Sequence, residues 1–223
     1  MRPLPSFWRS DKGLTALLVC LVALIFIGPA FTDTGPFGGF FVDLFFALVL
    51  VSGVSSLSHR KGATAGATAL VVLAVLFRMA TFLTPSKIVE GTSYVLAIGA
   101  AGLLAVLTLI QVFRDGPITA HRIMGAIAAY LLLGVTWSIS YRFVDHLIPN
   151  AFQYANAPTH WLSNLYFSFV TLTTVGYGDV APIAPAARSL AITEALVGQL
   201  YPAILIARLV SLEIADRASR AKK

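Results

Sequence analysis

The stretch Thr173-Thr174-Val175-Gly176-Tyr177-Gly178-Asp179 holds no nucleophile–base pair, yet its residue types allow a definite chemistry. A dehydrated cation needs oxygens in place of its water. Backbone carbonyls supply them when successive residues point theirs the same way. Glycine at alternate positions, Gly176 and Gly178, relieves the backbone strain of that arrangement. Thr174 adds a hydroxyl at the inner mouth, and Asp179, just outside, draws cations. The cation would sit against Thr174, Val175, Gly176 and Tyr177, with Gly178 completing the strip. Such a filter uses no charged side chain.

Something must hold this strip at membrane depth. Residues 159–173 are predicted to form a helix of about 22 Å at 1.5 Å per residue, with Thr159 after Pro158 as its N-cap. That is too short to cross a hydrocarbon core of about 30 Å, so the segment must enter and turn back. Irregular backbone at that depth is tolerated only inside protein or along a water-filled path. The helix C-terminus would direct partial negative charge toward the ion path.

The seven residues 173–179, following a re-entrant helix and preceding an apolar span, resemble the filter motif of potassium channels. The resemblance covers the fifth span to the chain end. It implies a homotetramer, because four such strips surround one pore in that family and this chain carries one. It also implies roles on the last span. Gly198 and Pro202 would form an inner-helix hinge, with close helix packing as the rival reading of Gly198. Gln199, Pro202 and Ile206 would face a water-filled cavity. The permeant ion would be K+, with no cofactor.

The composition fits. The chain of 223 residues is 57% hydrophobic and 12% charged, with mean hydropathy +0.82. Soluble domains carry about 25% charged residues, so a soluble enzyme is excluded. Cys20 is the single cysteine and cannot form an intrachain disulfide, and His59, His121, His146 and His160 make no metal-ligand spacing.

Six apolar spans are expected, at residues 14–31, 37–58, 63–84, 92–113, 119–141 and 186–214. A cleaved signal peptide is the rival reading of the first, although Gly28-Pro29-Ala30 is a poor cleavage site. The fold class expected is an all-α membrane protein of six transmembrane helices plus a re-entrant pore helix and selectivity filter. Residues 1–117 would form a four-helix, sensor-like unit and 118–223 the pore unit. Of 16 basic residues, Arg78, Lys87, Arg142 and Arg188 fall on one side and the other twelve on the opposite side. The positive-inside rule then places both termini in the cytoplasm, with anionic lipids as partners of the basic face and a bacterial inner membrane as the setting. Nucleic acid is not an expected partner, and no cytoplasmic ligand-binding domain is expected.

The fourth span, 92–113, has no Arg or Lys, so strong arginine-based voltage gating is not expected. Asp43 and Arg78, each near the outer end of adjacent spans, are expected to form an ion pair or a water-bridged pair; a residual voltage or proton sensor is the rival reading. Glu194 is a lone carboxylate in an apolar span and a functional candidate by default. It would be protonated or bonded to Ser168 or Thr171, supporting filter geometry and pH-sensitive conduction; an ordinary packing contact is the rival. His146 and His160 are placed in or beside the outer loop 142–158, and Arg188 is expected to pair with Asp179 or a loop acid. The functions weighed beside the channel are a filter-contributing regulatory subunit and the membrane subunit of a potassium transporter.

Overall fold

The computed structural model describes residues 12–31, 38–56, 61–113, 119–155 and 160–221. The expected N-cap Thr159 lies outside them. The described residues are almost entirely helical. Helix α1 (Lys12–Val22) continues through a π-helical turn (Ala23–Ile27) into a last α-turn (Gly28–Phe31). The wider turn precedes Pro29, and the Gly28 N–H reaches back to the Ala23 carbonyl. Then come α2 (Gly38–Ser56), α3 (Lys61–Leu83), α4 (Lys87–Val112), α5 (Ala120–Leu147), strand β1 (Phe152–Tyr154), α6 (His160–Leu172), strand β2 (Val180–Pro182) and α7 (Pro185–Ala221).

Among the described residues, four stretches are long and apolar enough to cross a membrane: Ala65–Leu83, Lys87–Val112, Arg122–Leu147 and Pro185–Ile214. Gly13–Ile27, Gly39–Ser55 and Leu162–Leu172 are shorter apolar helices. On α2, Val42, Val49 and Leu50 are buried while Phe40, Phe41, Leu44 and Leu48 are exposed. Helices that are apolar all round belong in lipid rather than water.

Two of the expected boundaries move. The fourth span starts at Lys87 rather than Thr92, so Lys87 and Glu90 form its first turn. Glu90 suits that position, where the helix dipole is positive. The fifth span runs six residues past Tyr141, to Leu147. Arg142 and His146 are therefore helical and not part of a loop. The extension is held by neighbours: Arg142 lies over the Tyr94 ring, 5.4 Å from its centroid, and His146 Nε2 is 3.1 Å from the Lys87 carbonyl.

Small residues bring α4 and α5 together. Ala97, Ala100, Ala101 and Ala105 on α4 are buried, as are Ala126, Ala128 and Ala129 on α5. Leu14, Leu17, Leu21 and Leu24, from α1 and the π-helical turn that extends it, close the same core, which Leu165 of α6 joins. The N-terminal bundle thus packs directly against α5 and α6.

Candidate functional site

Helix α6 is a half-length helix, 13 residues, packed against α5 and α7. Its C-terminus shapes the start of the 173–179 strip. The Thr174 N–H donates to the Thr171 carbonyl (2.9 Å) and the Val175 N–H to the Val170 carbonyl (2.9 Å). Thr174 itself has φ 60°. These two bonds around a left-handed residue make a Schellman cap, a position that glycine usually takes. Gly176 (φ 60°) and Gly178 (φ 80°) repeat the left-handed conformation, while Val175 and Tyr177 do not. Alternating handedness turns successive carbonyls toward one side, the arrangement that a cation-lining strip needs. Sequence reasoning assigned the backbone freedom to the two glycines; the structure adds Thr174 as the first member of the alternation.

Residues 173–179 are exposed in the single chain, with Val175 at 52% and Tyr177 at 71%. Tyr177 stacks parallel on Tyr166 at 6.4 Å between ring centroids. Asp179 uses its carbonyl to accept from the Ala155 N–H (2.9 Å), while its carboxylate accepts from the Val180 N–H (3.1 Å). Arg188 does not take up the expected pairing with Asp179: its Nε donates to the Pro182 carbonyl at 3.1 Å. That carbonyl ends β2 six residues earlier, within easier reach than the filter mouth.

The short antiparallel strand pair was not legible in the sequence. Strands β1 and β2 pair antiparallel, Phe152 opposite Pro182 and Tyr154 opposite Val180. They rest on a buried aromatic group in which Tyr141, Phe152 and Phe167 meet edge to face at 4.9–5.5 Å. The Tyr154 hydroxyl donates to Asn164 Oδ1 of α6 (3.1 Å).

Glu194, fully buried on α7, lies behind α6. Ser168 Oγ is 2.6 Å from Glu194 Oε1, and the Tyr141 hydroxyl bonds Oε2. Ser168 Oγ is also 2.7 Å from the Gly134 carbonyl. One polar chain therefore joins α5, α6 and α7. Tyr141 and Gly134 were missed in the sequence reading. One turn further along, Gly198 is buried against the Leu172 carbonyl, and Tyr130 donates to the same oxygen at 3.2 Å. Gly198 is thus a close-packing residue in this structure. Pro202, Gln199 and Ile206 lie on α7 and are exposed in the single chain. The helix continues unbroken through Pro202.

Away from the filter, Arg78 Nε lies 2.8 Å from Asp43 Oδ1. Asp43 is 6% exposed, and its Oδ2 has no hydrogen-bond partner among the described residues. The pair lines a cavity of about 40 Å³ together with Tyr94, Ser138, Arg142 and Leu165, at the junction of the bundle with α6. Arg142, assigned to a loop from the sequence, is the third charge here.

Residues 124–214 match the family described as "Ion channel". The chain is 39% identical over 84 residues to the two pore potassium channel c of Oryza sativa, covering 37% of this chain and 17% of that one. It is 53% identical over 47 residues to protein LctB of Bacillus caldotenax, covering 21% and 34%. It is 33% identical over 75 residues to the inward rectifier potassium channel Kirbac3.1 of Paramagnetospirillum magnetotacticum, covering 34% and 24%. The chain therefore spans about a third or less of each of these relatives.

Proposed function

We propose, from the match of residues 124–214 to the ion channel family, that this chain is one quarter of a potassium-selective channel. Four copies place their 174–178 strips around one axis. K+ sheds its water, passes in single file between carbonyls and rehydrates beyond Thr174. Transport is passive and involves no catalysis. The observation that carries this reading is the alternation of left-handed residues at Thr174, Gly176 and Gly178, directly beyond the half-length helix α6.

Assembly is supported by what one chain leaves uncovered. Val175 and Tyr177 are exposed, and so is an apolar stripe on α7 at Ile192, Leu196, Leu200 and Ile204, spaced by four. In the tetramer Gln199, Pro202 and Ile206 would face the central cavity. The chain would cross a membrane six times, α1 and α2 supplying the first two crossings, with both termini in the cytoplasm of a bacterial cell and anionic lipid along the basic face. Residues 1–117 would form a sensor-like unit without a sensor ladder, since α4 carries no charge after Glu90 through Val112. Strong voltage gating is therefore not part of this reading.

Purified chain in liposomes tests the proposal. Expected are a cross-linked species of four chains and K+ flux that Na+ does not replace and Ba2+ blocks. Absence of flux from tetrameric protein, or equal passage of Na+ and K+, would overturn it.

A further inference from the structure

The Tyr141–Glu194–Ser168–Gly134 chain can be counted proton by proton. Ser168 has one hydroxyl hydrogen, yet its Oγ has two oxygen neighbours within hydrogen-bond distance, Gly134 O at 2.7 Å and Glu194 Oε1 at 2.6 Å. The Gly134 carbonyl can only accept. If Ser168 donates to it, the hydrogen between Ser168 and Glu194 must come from Glu194. The Tyr141 hydroxyl then donates to the other carboxyl oxygen, Oε2, which stays a plain carbonyl acceptor. Three hydrogens fill three contacts, all in one direction, from Tyr141 to Gly134.

An ionised Glu194 leaves one contact without a hydrogen. Ser168 would turn its hydrogen to the carboxylate, and two lone pairs would face each other across 2.7 Å at Gly134. The surroundings offer no compensation: the described groups that face Glu194 are the hydroxyls of Tyr141 and Tyr130 from α5 and Ser168 from α6, with no cation among them. A buried, unpaired carboxylate is strongly disfavoured.

We infer that Glu194 is a neutral carboxylic acid in the working protein, a hydrogen-bond donor that fixes α6, and with it the filter, to α5 and α7. It is a positioning residue and touches no ion. The two helices stay in register at this contact, Glu194 against Ser168 and Gly198 against Leu172, each pair one turn apart. The positioning role rests on the channel reading above; the protonation state does not.

Infrared spectroscopy of the full chain in liposomes at pH 7 reads the protonation state. A protonated carboxyl gives a C=O stretch above the amide and carboxylate bands. That band should move on labelling with ¹³C-glutamate and vanish in Glu194→Gln, with Glu90 and Glu213 intact. Its absence, or its survival in Glu194→Gln, overturns the inference. The glutamine amide can both donate to Ser168 and accept from Tyr141, so Glu194→Gln should keep K+ flux within about threefold, and Glu194→Leu should lower it by about tenfold or more. Equal loss in both variants removes the positioning role. If Glu194→Leu does not fold, wild type and Glu194→Gln still decide the protonation state, and a folded Glu194→Gln that loses K+ flux by about tenfold or more removes the positioning role. A wild-type protein with the band and without flux would sink the channel reading and leave the protonation state standing.

Discussion

Gly198 and the Leu172 carbonyl are in such close contact that a Cβ on residue 198 would lie 2.1 Å from that oxygen. The neighbouring atom is backbone, at the last turn of α6, so no side chain can rotate away. Gly198→Ala must push α7 off α6. The expected cost is about 2–3 kcal/mol, read as a lowered unfolding midpoint in detergent, with loss of K+ flux. An alanine variant with wild-type midpoint and flux would mean that this contact does not set the helix spacing.

Changes at Asp43 and Arg78 should not add. Asp43→Leu leaves Arg78 without its charge partner in a largely buried site, and Arg78→Met does the same to Asp43. Each single change is expected to cost about 3 kcal/mol. Asp43→Leu and Arg78→Met together should cost less than either alone, because neither member of the pair is left without the other and the third charge, Arg142, loses one attractive and one repulsive neighbour at once. Denaturation midpoints of the three variants give the comparison, and simple additivity would contradict the expectation.

Thr174 combines a left-handed backbone with a side chain that disfavours it. Thr174→Gly should stabilise the fold by about 1 kcal/mol, because glycine takes the C′ position of the cap without steric cost. The same change removes the hydroxyl from the inner mouth, so the K+/Na+ flux ratio should fall while the unfolding midpoint rises. A variant that loses both properties would show that the threonine side chain holds the cap.

Tyr154 provides a pH test outside the membrane-spanning segments. Burial, reinforced by the nearby Asp145 carboxylate, pushes its phenol up from 10.0 to about 12. The folded state thus favours the neutral phenol. The stabilisation is fully present below pH 10 and is lost as the pH rises through about 12. Tyr154→Phe should flatten that alkaline loss at a cost of about 1 kcal/mol at neutral pH, since Asn164 Oδ1 loses its donor. Unfolding midpoints from about pH 8 to about pH 12 give the answer, and an unchanged alkaline limb in the variant would exclude Tyr154 as its source.

What could be read from the sequence follows the range of each interaction. The 173–179 motif is contiguous, and its two glycines state part of its backbone need, while the left-handed Thr174 carries no mark in its residue type. Glu194 and Asp43 stood out because a carboxylate within an apolar run is costly wherever its partner lies. Ser168 was nameable from its place on the short helix. Tyr141 was not: a tyrosine at the end of an apolar span has many ordinary roles, and its bond to Glu194 joins residues 53 apart. Arg142 was misread because hydropathy falls at that point, although the helix persists where the guanidinium lies over the Tyr94 ring. Strands β1 and β2 are three residues each, too short to show an alternating pattern.

Strands β1 and β2 also close the segment between them. The Ile183 and Ala184 N–H groups both donate to the Ala151 carbonyl, so the chain leaves and re-enters the helical frame at a single point. Everything between, helix α6 and the filter included, is an insert whose two ends touch. Bringing the ends of such an insert together carries a loop-closure cost that grows only slowly with length, so its place in the frame is set by what α6 packs against: Leu165 in the bundle core, Ser168 against Gly134 and Glu194, and Leu172 against Gly198. A replacement segment would therefore have to match Gly134, Glu194 and Gly198 as well as close at Ala151.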